Sequence, residues 1–430
     1  MSSTKGRLTG VALTLVAAVA LAACGSSSSS SSTPGVTATS VTIGSHQPLT
    51  GVAAPGYDEI APASKAFFEY VNAHGGINGR TINYIYKDDA YDPTQTVTVV
   101  HQLVLQDKVF GIFNGLGTPT HTKVIGFLNA EKVPDLFVAS GCLCWNNPTQ
   151  YPYTFGWQTD YTREGKILGQ YIAKHFAGKK IAYFLQDDDF GMNGEKGLNM
   201  EIPKSQVVST QFYQPGNTNI GPQIAAIKAS GAQVLVNFTV PAYTALVVLA
   251  DLQLGYHPQL VTSNVGSDPL TLAGLLSSFS KGAANGSLID GMLTDAYLPP
   301  FTETSNPWIQ LFLKVHAAYD ASAPLDGNVL YGMAAAYTFT AALKAAGKDL
   351  TRQGIVNAVQ TANINGPALL PYAYSPTDHS GVTGVQMAVV NGNAVHLMGQ
   401  PLVTDDGSGA ITPYTGTRPT PQSTGVVPTS

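Results

Sequence analysis

Residues 71–93 read Val-Asn-Ala-His-Gly-Gly-Ile-Asn-Gly-Arg-Thr-Ile-Asn-Tyr-Ile-Tyr-Lys-Asp-Asp-Ala-Tyr-Asp-Pro. A helical pattern over 60–73 ends just before a glycine pair, and a short apolar run over 82–86 has the composition of a strand. Pro93 suits the first position of a second helix, which we expect to reach residue 106. A strand between two helices is the repeating unit of a parallel sheet covered on both faces. This stretch therefore predicts an α/β fold.

The same unit recurs along the chain, and the recurrence predicts two doubly wound lobes of parallel sheet flanked by helices. The expected strands lie at 41–43, 82–86, 109–113, 136–138, 181–185, 207–212, 234–238, 260–262, 385–390 and 396–398. Helical patterns separate most of them, and three more helices are expected at 307–321, 329–346 and 351–361.

Composition limits the class of protein. The chain has 430 residues, enough for about two domains without disulfides or metals to hold them. It carries 22 Lys and Arg against 27 Asp and Glu, a net charge of -5, so a basic footprint for nucleic acid is absent. With 44% hydrophobic and 11% charged residues, the chain is too apolar to be disordered overall.

The N-terminal segment has the pattern of a secretory signal. Lys5 and Arg7 precede an uncharged stretch over 8–23, which is shorter than the roughly 20 residues that span a bilayer. Leu-Ala-Ala-Cys-Gly at 21–25 resembles the lipobox of bacterial lipoproteins, which implies that Cys24 carries lipid and becomes the mature N-terminus. Serines at 26–32 follow at once and disfavour a cysteine at the end of a core helix. We expect a signal peptide over 1–24 and a flexible tether over 25–40.

Several motifs together resemble the leucine/isoleucine/valine-binding protein family. They are Pro-Leu-Thr-Gly at 48–51 and the segments 71–80, 87–93, 182–191, 255–258 and 375–381. This family consists of type I periplasmic substrate-binding proteins, which deliver ligands to ATP-driven importers. The resemblance implies a ligand held between two lobes and a hinge of three crossovers near Gly156, Asp295 and Gly366.

The resemblance also implies how the chain is divided between the lobes. Lobe 1 is expected to comprise 41–156 and 295–365, and lobe 2 to comprise 157–294 and 366–404. Residues 405–430 are rich in Pro, Thr, Ser and Gly, which predicts a disordered tail.

The strongest physical candidate for a ligand contact is the loop Gly-Leu-Gly-Thr-Pro-Thr at 115–120, between a strand and a helix. Thr118 suits the N-cap, Pro119 suits the first helical position, and Gly117 lets backbone N–H groups approach a ligand. Helix N-termini attract anions, so a ligand carboxylate fits there. Thr118 also matches the family's hydroxyl contact to that carboxylate, although an ordinary N-cap is the alternative.

The resemblance implies further ligand contacts. Backbone groups of Ala139, Ser140 and Gly141 align with a carboxylate-holding segment, although the family commonly has a hydroxyl residue where Gly141 stands. Rings are expected to grip the apolar part of the ligand. The remaining candidates are Tyr57 and Phe190 as the gripping rings, Thr239, and, as weaker candidates, Tyr161 and Tyr243.

Amino-acid binders of this family place an acidic residue near position 264, where this chain has Asn264. The partner for a ligand ammonium group is therefore not evident. The acidic run 187–189 could supply negative charge, but such a run is usually a solvated turn. A neutral amide or an organic acid without an amine stays open beside leucine-type ligands.

Cys142 and Cys144 follow the second candidate loop. An oxidising location permits a disulfide between them, and two free thiols are the alternative. The family's own disulfide is missing because Tyr91 and Gly117 occupy its positions.

The predicted function is that of an extracytoplasmic solute-binding lipoprotein of an ABC importer. It would capture a branched-chain amino acid or a related amide or carboxylate, with a membrane permease as its partner and a lipid anchor in the membrane. An extracellular sensor feeding a signalling partner is the alternative. No nucleic acid, metal or cofactor is expected. Catalysis is not expected either, because Gly-x-Ser-x-Gly, His-Glu-x-x-His and Walker motifs are absent from the sequence.

Overall fold

Five parallel strands form the sheet of lobe 1. They are β1 (Ser40–Gln47), β2 (Thr81–Asp88), β3 (Ile112–Phe113), β4 (Asp135–Val138) and β5 (Thr154–Gly156). Their order across the sheet is β2-β1-β3-β4-β5, and every neighbouring pair is parallel. The computed structural model describes residues 33–421. The predicted signal peptide, Cys24 and the serine run lie outside these described residues.

Helices of lobe 1 connect these strands. They are α1 (Ala54–Tyr57), α2 (Ile60–Ala73), α3 (Pro93–His101), α4 (Thr118–His121) and α5 (Ile125–Ala130). The helix α3 begins at the predicted Pro93, because the Asp92 carboxylate accepts hydrogen bonds from the N–H groups of Thr94 and Gln95. It continues as one π-helical turn over Gln102–Gln106, where the predicted helix ends.

Lobe 2 repeats the unit around a larger sheet. Its first helices are α6 (Tyr161–His175), α7 (Asp189–Glu201), α8 (Gly221–Ala229), α9 (Pro241–Leu254) and α10 (Pro269–Phe279). Its first strands are β6 (Ile181–Gln186), β7 (Val207–Tyr213), β8 (Val234–Phe238), β9 (Gln259–Thr262) and β10 (Leu293–Ala296). These five strands are parallel and lie in the order β10-β9-β8-β6-β7.

The chain then returns to each lobe in turn. Lobe 1 receives α11 (Pro307–Tyr319), α12 (Gly327–Ala345) and α13 (Arg352–Thr361). The helices α12 and α2 lie so close that a Cβ at Gly332 would stand 2.3 Å from the Ile60 carbonyl oxygen. Lobe 2 receives the antiparallel strands β11 (Gly384–Asn391), β12 (Ala394–Leu397), β13 (Leu402–Val403) and β14 (Thr412–Pro413).

The chain therefore crosses between the lobes three times, after β5, after β10 and between α13 and β11. The prediction of an α/β fold with two doubly wound lobes is confirmed. Each lobe buries its sheet under helices, and the cleft between the lobes lies at the carboxyl ends of the parallel strands. Over residues 33–421 we find no helix with the length and apolarity needed to cross a bilayer.

The prediction of a disordered tail from residue 405 is wrong for residues 405–421. The buried ammonium group of Lys166 on α6 donates hydrogen bonds to Asp405 Oδ1 and to the carbonyl oxygens of Gly407 and Gly409. The composition of the tail predicted disorder, but this segment does not depend on a hydrophobic core of its own. Its backbone carbonyl groups accept hydrogen bonds from an ammonium group that is buried in lobe 2.

The predicted tether also extends too far into the globular part of the chain. Residues 35–40 pack on lobe 1: the Thr42 N–H donates to Gly35 O at 2.7 Å, and Arg80 Nε donates to Thr37 O at 2.8 Å. The left-handed φ of 73° at Gly35 allows the close approach, since a Cβ there would lie 2.2 Å from the Phe110 nitrogen.

Candidate ligand-binding cleft

The walls of the cleft come from both lobes and from the crossovers. The space between them, counted out to the open mouth, is about 1130 Å³. Most of the lining is aromatic or aliphatic, as expected for a site that holds an organic molecule. The lining rings are Tyr57, Tyr91, Tyr161, Phe190, Tyr297, Phe301 and Tyr331.

Thr118 lies in the cleft wall, but not as the N-cap that the sequence predicts. Gly117, with φ of 106°, holds the N-cap position, and Thr118 is the first residue of α4. Because α4 has only four residues, its dipole is small. The hydroxyl of Thr118 is not used for capping, and its Oγ1 lies 2.7 Å from Ser140 Oγ.

Only part of the segment 139–141 lines the cleft, and the rest of it lies in the layer behind the wall. Ala139 lines the cleft, whereas Ser140 is buried behind Thr118 and accepts a hydrogen bond from Cys142 N–H. Gly141 is not in the lining, and a Cβ there would lie 2.6 Å from Thr159 O. This close approach explains why glycine replaces the hydroxyl residue that the resemblance led us to expect.

The two rings predicted to grip a ligand both line the cleft, one from each lobe. Tyr57 of lobe 1 donates its hydroxyl hydrogen to Val265 O of lobe 2 at 2.7 Å. Burial raises the pKa of Tyr57 well above its usual range, so it remains a donor. Phe190 packs against Tyr161 with ring centroids 4.4 Å apart and against Phe238 at 5.7 Å.

Of Thr239 and the two weaker candidates, Tyr161 and Tyr243, only Tyr161 lines the cleft. Tyr161 lines the cleft, and its hydroxyl donates to Ser140 Oγ at 3.5 Å. Thr239 does not line it, because its hydroxyl is buried 2.7 Å from that of Thr244. Tyr243 stacks on Tyr213 behind the wall, with ring centroids 3.9 Å apart.

The acidic run 187–189 is a helix start rather than a charged wall. Asp188 accepts hydrogen bonds from Phe190 N–H and from Gln186 Nε2, so it caps α7 and thereby places the Phe190 ring. Burial raises the pKa of Asp188 to about 6.

Asn264 lines the cleft and covers two carboxyl groups that sequence reasoning missed. Its backbone N–H donates to Glu164 Oε1 at 3.0 Å, and its Nδ2 donates to Asp295 Oδ1 at 2.9 Å. Both acids are buried, and burial raises the pKa of Asp295 to about 6 and that of Glu164 well above its usual range. Asp295 also lines the cleft, whereas Glu164 lies behind the wall, so the cleft has a carboxyl group next to the amide at position 264. No local motif marks this pair, because Glu164 and Asp295 are far apart in sequence.

A buried chain of hydrogen bonds supports the floor beneath Thr118. His46 Nδ1 lies 2.8 Å from Asp89 Oδ2, His46 Nε2 lies 2.8 Å from His121 Nδ1, and His121 Nε2 lies 2.8 Å from Asp135 Oδ2. Burial lowers the pKa of the His46 ring, while the hydrogen bond between this ring and Asp89 acts in the opposite direction. This chain of hydrogen bonds connects strand β1, the end of strand β2, helix α4 and strand β4.

The loop after Ser140 contains a disulfide between Cys142 and Cys144, one of the two alternatives that the sequence left open. Leu143 N–H within this loop donates to Asn193 Oδ1 of α7 at 2.8 Å, which joins lobe 1 to lobe 2. Trp145 is buried with its ring edge against His121.

At the mouth of the cleft, one carboxylate joins helices of both lobes. Asp268 Oδ1 accepts a hydrogen bond from Thr271 N–H of α10, and its Oδ2 accepts one from Gly327 N–H of α12 at 3.0 Å. Asn328 Nδ2 donates to Thr271 Oγ1 at 3.0 Å across the same boundary. The lobes are closed on each other.

A sequence profile of the family described as periplasmic binding protein matches residues 40–394. The chain belongs to the periplasmic binding protein family. This is a family of substrate-binding proteins rather than of enzymes, and membership implies a location outside the cytoplasm. The match covers both lobes and all three crossovers.

A relative in this family is the Leu/Ile/Val-binding protein homolog 2 of Brucella abortus, 26% identical over 260 residues. That alignment covers 56% of this chain and 65% of the relative, so the chain spans less than two thirds of the relative's length.

Solved structures of periplasmic binding proteins share the fold. The fatty acid ABC transporter substrate-binding protein from Thermomonospora curvata superposes with a TM-score of 0.73 at 22% identity, over 87% of this chain and 95% of that one. A branched chain amino acid ABC transporter from Thermus thermophilus with bound valine gives 0.70 at 18%, over 86% and 97%. Since the names of these two proteins point to different ligands, the fold alone does not fix what this cleft holds.

Proposed function

We propose that the protein captures a small, mainly apolar organic molecule between its lobes and presents the closed complex to the permease of an ABC importer. The observation that carries this proposal is the position of Tyr57 and Phe190, which line one cleft from opposite lobes. A ligand that touches both rings has higher affinity for the closed form. Only such a difference in affinity can shift a hinge equilibrium.

Hydroxyl groups on the lobe 1 side of the cleft support the proposal that the ligand carries a carboxylate or a carbonyl group. Thr118, Ser140 and Tyr161 bring three hydroxyls together, and a hydroxyl can turn its hydrogen towards an incoming acceptor. Among the described residues that line the cleft there is no Lys or Arg. We therefore propose a branched-chain amino acid or a related amide or carboxylate, held by Thr118 and the backbone of Ala139.

We further propose that lipid on Cys24 anchors the protein to the cell membrane. The lipobox-like sequence at 21–25 and the serine run after it support this anchor. Metabolic labelling with radioactive palmitate should mark the wild-type chain and spare Cys24→Ala. Equal labelling of both chains would refute the anchor.

A thermal-shift screen tests the capture of a ligand. The panel contains branched and aromatic amino acids, amides, urea and aromatic acids, because a ligand that binds the folded state raises the melting temperature by mass action. One chemical class should raise the melting temperature, and calorimetric titration should then give saturable binding of one molecule per chain. A panel without any hit would contradict the proposed ligand classes.

Uptake measurements separate import from sensing. Deleting the gene should abolish uptake of the radiolabelled ligand by intact cells, and the wild-type gene should restore it. Unchanged uptake with loss of a transcriptional response would instead favour a sensor.

A further inference from the structure

The wall of the cleft contains a carboxyl group for which the described chain supplies no cation. Asp295, on strand β10 at the second crossover, lines the cleft and is 2% exposed. Its Oδ1 accepts the hydrogen bond from Asn264 Nδ2, whereas its Oδ2 is buried without a partner among the N–H and alcohol groups of residues 33–421. Over the same residues, neither Asp295 nor Glu164 behind it forms an ion pair with Lys, Arg or His. Buried carboxylates normally have such a partner.

The two neighbouring carboxyl groups differ in their access to a ligand and in their affinity for a proton. Burial and the charge of Asp295 raise the pKa of Glu164 well above its usual range, so Glu164 keeps a proton and shares it with Asp295. The pKa of Asp295 rises only to about 6, so the two groups together carry one negative charge at neutral pH. This charge lies on the cleft side, because Asp295 lines the cleft and Glu164 does not.

Asn264 adds a second acceptor beside Asp295. Its Nδ2 donates to Asp295 and its backbone N–H donates to Glu164, so the two carboxyl groups hold this residue in place. The amide oxygen of Asn264 is then the atom of that group left to accept a hydrogen bond at the cleft wall. Together, the carboxylate and the amide oxygen form a wall that accepts N–H groups.

The lobe 1 wall has the complementary chemistry. Thr118 and the backbone of Ala139 lie where we propose that a ligand carboxylate or carbonyl binds. Among the described residues that line the cleft there is no Lys, Arg or His that could neutralise Asp295. A ligand with an ammonium group would supply this missing positive charge, and a charge-assisted hydrogen bond in a site shielded from water is stronger than a neutral one.

We propose that Asp295, with the amide oxygen of Asn264 beside it, binds a primary ammonium group of the ligand. The cleft would then select molecules that carry an amine and a carboxylate on an apolar body, rather than neutral amides or organic acids without an amine. This inference rests on the proposed function, because it concerns the ligand of the same cleft. The acidic role that position 264 lacks would pass to a residue 31 positions later in the chain.

Calorimetric titration of the full chain with matched pairs of probes tests this assignment. Each probe pair consists of an apolar amino acid and the same molecule without its amine: leucine with 4-methylpentanoate, and phenylalanine with 3-phenylpropanoate. In at least one probe pair, the wild-type protein should bind the amino acid at least about tenfold more tightly, because the other member leaves the carboxylate of Asp295 without a cation.

The variant D295N separates the contact to the amine from the rest of the cleft. It keeps the shape of the side chain and removes its charge, so affinity for the amino acid should fall about 10- to 100-fold. Affinity for the member without an amine should change less than about twofold. The matched control is D290N, which alters an exposed carboxyl group just before β10 that accepts a hydrogen bond from Gly392 N–H and does not line the cleft. This variant should bind both members like wild type.

Equal wild-type affinities for the two members of a probe pair that binds would overturn the assignment and leave the proposed ligand capture standing. An equal loss of affinity for both members in D295N would also overturn it, since the variant would then have damaged the cleft in general. If D295N does not fold, the wild-type comparison still decides. If neither member of either probe pair binds, both this assignment and the proposed amino-acid and carboxylate ligands are refuted.

Discussion

The Tyr57 hydroxyl of lobe 1 donates a 2.7 Å hydrogen bond to the backbone oxygen of Val265 in lobe 2. This bond exists only when the lobes are closed, because its two partners belong to different lobes. Tyr57 thus has two roles in one side chain: its ring lines the cleft, and its hydroxyl joins the lobes. The two roles can be separated by removing the oxygen alone.

The variant Tyr57→Phe should weaken ligand binding without changing the fold. It keeps the ring and removes a hydrogen bond whose net contribution is about 0.5–1.5 kcal/mol, so the dissociation constant should rise about 2- to 10-fold. Calorimetric titration with the ligand found in the thermal-shift screen measures this change. The control is Tyr319→Phe on the exposed side of α11, which should bind like wild type. If all three proteins bind the ligand with equal affinity, the Tyr57 hydroxyl does not contribute to closing the lobes on the ligand.

The variant Thr118→Val should leave the melting temperature of the free protein nearly unchanged and weaken ligand binding. It retains the shape of the side chain and removes the hydroxyl next to Ser140. If the ligand presents a carboxylate there, the loss is about 1.5–3 kcal/mol, or about 10- to 100-fold in the dissociation constant. Thr122→Val is the control, because that hydroxyl donates to Pro119 O at the end of α4 and does not line the cleft. Unchanged affinity in Thr118→Val would refute the assigned role.

Local patterns predicted the strand and helix units and the loop that carries Thr118. Thr118 lies in the cleft wall, at the strand end where that pattern placed it. Ala139, Asn264, Tyr57 and Phe190 also line the cleft, and for these four residues the family resemblance supplied the prediction.

Sequence could not predict features that depend on distant partners. Asp405 is ordered by Lys166, 239 residues earlier in the chain, so the composition of the tail carries no sign of the contact. The glycine at 141 is required by the approach of Thr159 O, which only the packed structure reveals. In each case the deciding interaction is long-range, whereas the sequence patterns are local.

The buried pair Glu164 and Asp295 should make the free protein less stable as pH rises. Both groups have a pKa raised by burial, to about 6 for Asp295, so the folded state binds more protons than the unfolded state does. Their contribution is complete below the unfolded pKa of a carboxyl group and decreases as pH rises through about 6. Glu164→Gln should therefore reduce the loss of unfolding free energy between about pH 5 and about pH 8, by an amount on the order of 1 kcal/mol. Chemical denaturation across this range measures it.

The exposed Glu69→Gln provides the comparison for that series, since Glu69 lies on the surface of α2. Its unfolding free energy should follow the wild-type curve at every pH. A Glu164→Gln curve as steep as the wild-type curve would show that the pair does not hold an extra proton in the folded state.

The variant Lys166→Met should release the C-terminal tail from lobe 2 without unfolding the lobes. The Lys166 ammonium is 2% exposed and donates to three acceptors of the tail, so removing it leaves no cation to hold residues 405–409. Backbone amides of this segment, including Gly407 N–H and Gly409 N–H, should exchange with deuterium at least about tenfold faster, because local opening then costs less free energy. Asp405→Asn should change exchange much less, since the carboxylate is half exposed and two carbonyl acceptors remain. Lys174→Met, an exposed lysine on the same helix α6, is the control. Unaltered protection in Lys166→Met would mean that strand pairing and the hydrogen bonds of Pro419 and Arg418 order the tail without Lys166.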